Sequence, residues 1–274
     1  MKIAAIVVLY HPDEDVFLDN LGKYAKLVDT VLVWRNSPIE FDVPEEFSEK
    51  IIWCGTQTNA YIAEPLNYAL NWCQEHECDY LLTMDQDSSW EDFGSFLATV
   101  EALPKENVAI FAPNINGPKN GGVVADVEGV VTSCSLCNVQ IAQRLGGFRE
   151  DYRIYWVDSE YCLWARRNGY RIQVLCQHFV RHVFGSSTIV ALGVKASNYS
   201  ATSYFFLFRN MFWMRREFRN EPSLKCITYT FAYYVPGIIF GEKNKIRKPG
   251  CITKACFQGC FKGIPSKRRR KHLE

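Results

Sequence analysis

Two hydrophobic rhythms alternate along the first third of the chain. Ile3–Leu9 (IAAIVVL) is an unbroken apolar run rich in β-branched residues. Such a run predicts a strand buried on both faces, as in a parallel sheet. Asp13 can cap a helix, and apolar residues follow at Phe17, Leu21, Tyr24 and Val28, spaced by four, three and four. That spacing predicts an amphipathic helix. Residues 31–34 (VLVW) read as a second strand closed by Asn36-Ser37-Pro38, and Ile51–Cys54 as a third. Helical spacing returns at Ile62, Leu66, Ala69, Leu70 and Cys73, and residues 80–84 (YLLTM) form a fourth strand ending in Asp85-Gln86-Asp87. This β-α-β-α-β order predicts an α/β protein with an open, mostly parallel, doubly wound sheet.

The pattern loosens in the second half. Residues 108–113 read as a strand, 114–122 as a loop, and the alternation over 123–134 as an antiparallel hairpin. A short helix ends at Gly146-Gly147, and residues 157–168 form a helix closed by Gly169. Residues 172–175 and 179–182 read as two short strands, and the aromatic-rich segment 199–219 has helical spacing. We place a main domain over residues 1–220 and a basic, helical C-terminal extension over 221–274.

Charge is distributed unevenly. The net charge of the 274-residue chain is only +1, but residues 243–271 hold eleven Lys or Arg and no Asp or Glu. The preceding 242 residues carry 20 basic and 29 acidic side chains. A basic tail on an acidic body is either a solvated tail or a contact for an anionic surface, a membrane more readily than nucleic acid. The uncharged stretch 226–241 is short for a membrane span and contains Pro236 and Gly237, so it is expected to lie in an interface. Eleven cysteines, an odd number, and the lack of a secretory pattern at the N-terminus predict free thiols in a reducing cytoplasm. Cys134-x-x-Cys137 lacks the second pair that a zinc site needs.

The chemistry is expected beyond the carboxyl ends of the parallel strands, where open α/β sheets bind ligands. Asp85 and Asp87 lie there, and two carboxylates one residue apart can share a divalent cation such as Mg²⁺ or Mn²⁺. Asp158 and Glu160 open the 157–168 helix. The helix dipole alone would favour them there, but one of them could also serve as a general base. The aromatic pair Tyr155-Trp156 precedes them and offers faces for a sugar ring. His182 stands before a Gly-Ser loop and could ligate a metal or bind phosphate.

Five segments together resemble the family 2 inverting glycosyltransferases, and within them the rhamnosyltransferase-like group. They are IVVLYHPD at 6–13, NAYIAEPLN at 59–67, DYLLTMDQDS at 79–88, GGFREDYRIYWVDSEYCLWA at 146–165 and HVFG at 182–185. The resemblance runs over residues 3–215 and implies a GT-A type, nucleotide-diphospho-sugar transferase fold. It also implies roles. Asp85 and Asp87 would hold a Mg²⁺ or Mn²⁺ ion and through it the donor diphosphate, with His182 completing the contacts. Asp158 would be the catalytic base. Leu9, Tyr10, Arg35, Asn67, Asp85 and Gln86 would shape the nucleotide-sugar site, and Tyr155 and Trp156 the sugar or acceptor site. The expected donor is a dTDP-, UDP- or GDP-linked sugar, rhamnose by resemblance. The expected acceptor is a hydroxyl of a cell-surface or lipid-linked glycan, reached from the cytoplasmic membrane face. The family's pattern is broken at Arg35, Tyr61 and Pro65, where it has Asp, Gly and Ala, while its Glu before Asp158 is Val157 here, which the rhamnosyltransferase-like group also allows.

Competing readings are weaker. A haloacid-dehalogenase-type phosphohydrolase also ends a strand in D-x-D, but none of Asp92, Asp126, Asp151 or Asp158 forms its downstream acidic pair. Tyr10-His11-Pro12-Asp13 stands where a sugar nucleotidyltransferase has a Gly-rich loop, and neither G-x-x-x-x-G-K-[ST] nor G-x-G-x-x-G occurs. An inactive sugar-nucleotide binder remains as the alternative, distinguished by needing no working Asp158.

Overall fold

The computed structural model describes residues 1–115, 122–182, 187–189, 194–219 and 221–265. Its backbone contacts divide it into two compact units, one of Met1–Glu150 with Val157–Val183 and one of Asp151–Trp156 with Phe184–Glu274. In the second of these the aromatic helix after residue 200 packs with the C-terminal helices.

In the first unit the chain runs β1 (Ile3–Leu9), α1 (Glu14–Gly22), β2 (Thr30–Arg35), α2 (Glu45–Ser48), β3 (Ile51–Cys54), α3 (Ala63–Glu75), β4 (Tyr80–Asp85) and β5 (Ser88–Trp90). It continues through α4 (Phe93–Ala102), β6 (Val108–Ile115), β7 (Val124–Asp126), β8 (Ser135–Asn138), α5 (Val139–Leu145), α6 (Val157–Arg167) and β9 (Arg171–His182). The main path of the nine-stranded sheet is β3-β2-β1-β4-β8-β6-β9-β5. The first four strands are parallel, as the apolar runs predict. All seven residues of β1 are buried.

Past β4 the sheet is mixed. β8 runs antiparallel to both β4 and β6, β6 and β9 are parallel, and β5 and β7 lie antiparallel on β9. The parallel pairing expected from the sequence is found over β3-β2-β1-β4 and again between β6 and β9, within a mixed sheet. Two further expectations are corrected. Segment 123–134 does not fold back on itself, since β7 takes β9 as its partner. Residues 171–182 form one strand, not two, whose register on β6 shifts between Pro113 and Asn114. A shift of that kind interrupts the apolar pattern without ending the strand. Of the predicted 114–122 loop, Asn114 and Ile115 belong to β6, while residues 116–121 lie outside the described residues.

Helix ends follow their capping residues. Asp13, Asp92 and Asn138 each accept the backbone N–H three residues on, at 3.1, 2.9 and 2.9 Å. α5 stops where Gly146 and Gly147 turn left-handed, at φ 80° and 66°. Gly147 has a second reason to be glycine. A Cβ there would stand 2.5 Å from Asn67 Oδ1.

The second unit holds the two-residue strands β10 (Thr188–Ile189) and β11 (Lys195–Ala196), then α7 (Ala201–Glu217), α8 (Leu224–Phe240) and α9 (Arg247–Phe261). Its core gathers Tyr204, Leu207, Phe208, Met211, Ile227 and Ile252. The basic segment is therefore ordered helix over 247–261, and residues 266–274 are outside the described residues. Gly259 lets α9 approach α7 closely, since a Cβ there would meet Phe212 at 2.7 Å. A buried ion pair ties the linker to α9. Lys248 Nζ lies 2.5 Å from Glu242 Oε2, and Glu242 Oε1 accepts Tyr204 Oη–H at 2.6 Å and Asn198 N–H at 2.9 Å. Among the described residues no helix is long and apolar enough to cross a membrane.

Candidate active site

Asp85 is the last residue of β4, so it emerges at the carboxyl edge of the parallel strands. The chain turns through Gln86 and Asp87 and enters β5, whose pairing with β9 sets Ser88 opposite His182. That register brings a histidine almost a hundred positions away to the D-x-D turn. Ser88 Oγ and His182 Nδ1 are 2.6 Å apart, and Asp87 Oδ1 is 3.9 Å from the same nitrogen. One ligand atom from each of Asp85, Asp87 and His182 lies within 4.8 Å of the others.

Two carboxylates and an imidazole in this arrangement suit a divalent cation. Electrostatics points the same way. The Asp85 carboxyl is pushed up from 3.8 to about 6, first by burial and then by the charges of Asp87 and Asp158, with His182 and a Ser133 hydrogen bond opposing. Three carboxylates that repel one another are a ready receptor for positive charge.

Asp158 lies in the first turn of α6, within electrostatic reach of Asp85. Its Oδ1 accepts the Ser159 N–H at 2.7 Å and the Ser159 hydroxyl at 3.3 Å. Burial raises its pKa, with the Ser159 hydrogen bonds pulling the other way. Glu160, the other candidate from sequence, is fully buried and paired with Arg149 at 3.7 Å. The two carboxylates of one helical turn thus separate into one beside the acidic cluster and one in the core.

The residues expected around the nucleotide are placed as follows. Leu9 is wholly buried in the first unit's core, so its side chain packs the sheet. Tyr10 is half exposed with its ring edge-on to His11. Gln86 clips the end of β1 to the D-x-D turn. Its Oε1 accepts Tyr10 N–H at 2.8 Å and its Nε2 donates to Tyr10 O at 3.3 Å. Arg35 donates Nε to Cys54 O at 3.4 Å and lies over the Trp53 ring, 5.9 Å from its centroid. Asn67 is a latch. Its Nδ2 donates to Phe148 O and Glu150 Oε1 at 2.8 and 2.9 Å, and its Oδ1 accepts Phe148 N–H at 2.7 Å. Tyr61 stands left-handed, at φ 63°, where the family pattern has glycine. Pro65 falls in the first turn of α3, where a missing N–H costs nothing. Tyr155 and Trp156 belong to the second unit and pack against its core. Trp156 Nε1 donates to Leu207 O at 3.0 Å.

Sequence reading missed two serines. Ser88 and Ser133 are fully or almost fully buried, with hydroxyl oxygens 2.5 Å apart, and they join His182 to Asp85 through one hydrogen-bonded chain. Ser88 directly follows the D-x-D and could have been noted for that. Ser133 had no local signal, because only the fold brings it there.

No family model matches the chain. It is 22% identical over 274 residues, covering 89% of this chain and 90% of the relative, to the dTDP-rhamnosyl transferase RfbF of Shigella flexneri. Among solved structures it matches TarS 1-349 of S. aureus with a TM-score of 0.61 at 14% identity, over 95% of this chain and 81% of that one. It matches GalNAc-T7, determined with UDP, GalNAc and Mn2+, at 0.59 and 8% identity, over 77% of this chain and 48% of that one. The mannosyltransferase PcManGT from Pyrobaculum calidifontis, determined with GDP-Man and Mn2+, matches at 0.53 and 13% identity, over 93% and 72%. The fold is that of the GT-A glycosyltransferases. The resemblance to rhamnosyltransferase-like glycosyltransferases read from the sequence is borne out.

Proposed function

We propose that this chain is a glycosyltransferase that uses a nucleotide-sugar donor and transfers the sugar with inversion to an acceptor hydroxyl. The observation that carries the reading is the convergence of Asp85, Asp87 and His182 with Asp158 at the carboxyl edge of a GT-A sheet. Sequence similarity to a dTDP-rhamnosyl transferase supports a dTDP-linked donor and rhamnose as the sugar. A cell-surface or lipid-linked glycan is the proposed acceptor.

In this mechanism Asp158 takes the proton from the attacking hydroxyl. Both Ser159 contacts fall on Oδ1, so Oδ2 is the oxygen offered to the proton. Burial raises its basicity, which improves a carboxylate as a general base. Asp85, Asp87 and His182 would hold a divalent cation, Mn²⁺ or Mg²⁺, which when bound supplies Lewis-acid charge to the departing diphosphate. Ser88 fixes the His182 ring, and Gln86 fixes the turn that carries both aspartates.

We also propose that the second unit rests on an anionic membrane face. Leu224, Phe240, Ile246, Phe257 and Phe261 are large apolar side chains exposed to solvent, and Ile246 is 91% exposed. They share α8, α9 and the linker between them with Lys225, Lys243, Lys245, Arg247 and Lys254. Apolar wedges among basic residues favour interfacial binding, each basic residue contributing about 1 kcal/mol near an anionic surface. Co-sedimentation with phosphatidylserine vesicles, weakened by salt, is the expected result. No sedimentation at low salt removes the location.

Thermal stabilisation by dTDP, UDP and GDP, with and without Mn²⁺, tests the main reading. Ligand bound only by the native state raises the midpoint by mass action. A metal-dependent rise with one base supports the transferase and names its donor. No rise with any nucleotide overturns it.

A further inference from the structure

The second unit holds a solvent-open cavity of about 530 Å³ against α7 and α8. Trp156, Tyr199, Tyr229, Tyr233 and Tyr234 present aromatic rings to it, Thr230 adds a hydroxyl, and no charged side chain lines it among the described residues. The volume is in the range of small-molecule sites. Without a cation in the wall, the cavity does not select phosphate or carboxylate. Walls of aromatic faces edged by hydroxyls match a neutral ring that is apolar on its faces and polar around its rim, which describes a pyranose. An alkyl chain would strip water from those hydroxyls and return no hydrogen bond.

Two features prepare the cavity. Tyr229 and Tyr233 sit one turn apart on α8 with their rings stacked, centroids 6.0 Å apart at 26°, and Tyr229 is 66% exposed. Both line the cavity and offer aromatic rings to a sugar. Trp156 sits in a strained turn. Arg153, Tyr155 and Trp156 all have left-handed backbones, at φ 63°, 58° and 65°. Each such residue costs roughly 1–3 kcal/mol, and strain of this kind persists at ligand sites because surrounding contacts over-determine it. The buried Asn210 supplies those contacts. Its Nδ2 donates to the carbonyls of Tyr152, Ile154 and Tyr155 at 2.9, 2.9 and 3.0 Å, while its Oδ1 accepts Arg209 Nε–H at 3.0 Å. A second bond, from Trp156 Nε1 to Leu207 O, fixes the ring whose face lines the cavity.

We infer that this cavity is the subsite for a neutral pyranosyl unit of the acceptor, with Tyr229 and Tyr233 as its stacking shelf and Trp156 as a fixed wall. The inference rests on the transferase reading for the word acceptor, but the binding itself does not. Saturation-transfer NMR on the full chain, with methyl α-rhamnopyranoside, methyl α-glucopyranoside and methyl β-N-acetylglucosaminide, reads it directly. Octanol and short prenyl alcohols serve as the apolar comparison. The expected result is transfer to ring protons of at least one glycoside, with about a tenfold weakening in Tyr229→Ala and Tyr233→Ala, the order expected for losing one aromatic face. Tyr229 is largely exposed, so its variant tests the shelf without removing a core side chain. Nucleotide-induced stabilisation is read on the same samples. Glycoside binding without any nucleotide response sinks the transferase reading and leaves a sugar site. A nucleotide response with no glycoside binding, or with binding indifferent to both tyrosines, overturns the subsite. Preference for the prenyl alcohols overturns it in favour of a lipid chain.

Discussion

Replacing Asp85 by asparagine is expected to stabilise the metal-free protein while removing its response to metal. Burial and the charges of Asp87 and Asp158 lift the Asp85 carboxyl from 3.8 to about 6. Between those values the folded state holds a proton that the unfolded chain has released. Stability associated with this group is therefore fully present below about pH 4 and is lost as pH rises through 6. Two pH units correspond to about 3 kcal/mol as a ceiling. Asp85 is partly exposed and shares its charge with its neighbours, so about 1–3 kcal/mol is the expected loss at pH 7. An asparagine side chain carries no charge and keeps an oxygen to accept from Ser133, so Asp85→Asn escapes the loss. The assay is thermal unfolding in chelator from pH 4 to 8. The Asp85→Asn midpoint should match the parent near pH 4 and exceed it by about 3–9 °C at pH 7. With Mn²⁺ the parent should rise and the variant should not. An Asp85→Asn protein less stable than the parent in chelator at pH 7, or one that Mn²⁺ stabilises equally, would refute the argument that this cluster is built for a cation.

Three further outcomes follow from named contacts. Asp158→Asn should retain nucleotide-induced stabilisation and lose roughly 10²–10⁴ in transfer rate, the range for general-base help, and a near-native rate removes Asp158 from the mechanism. Asn67→Leu strips both partners from the Phe148 backbone, so it should cost about 2–4 kcal/mol and raise amide exchange at 147–150, whereas unchanged exchange there would mean the latch is idle. Lys248→Met leaves the Glu242 carboxylate buried beside Tyr204 and should destabilise the second unit by about 3–5 kcal/mol, while the double variant Glu242→Leu/Lys248→Met recovers much of that, and equal loss in both would contradict a charge-driven effect.

The parallel half of the sheet was legible in the sequence because its strands are buried on both faces. A continuous run such as Ile3–Leu9 has few alternatives once flanked by helical spacing and turn residues. The position of Asp85 and Asp87 followed, since a strand end in an open α/β sheet is a defined place. Capping at Asp13 and the stop at Gly146-Gly147 are local events, and the local sequence determined them. The mixed half depended on partners that local pattern does not name. β7 could alternate convincingly and still pair with β9 rather than fold into a hairpin, because half-buried strands carry no record of their neighbour.

The site divides the same way. The D-x-D motif, the helix holding Asp158 and the expectation that Asp158 is the base are sequence features, and packing adds that Glu160 is buried in an ion pair with Arg149. The fold also decided that Gln86 and Asn67 spend their amides on backbone, and that Ser88 and Ser133 join His182 to Asp85. Local sequence determined which segments become strands and helices and where carboxylates stand along them, because those follow from backbone preference and burial period. Only the tertiary structure decided which side chains meet, because the β5–β9 register and the packing of α6 are set by contacts between residues far apart in the chain.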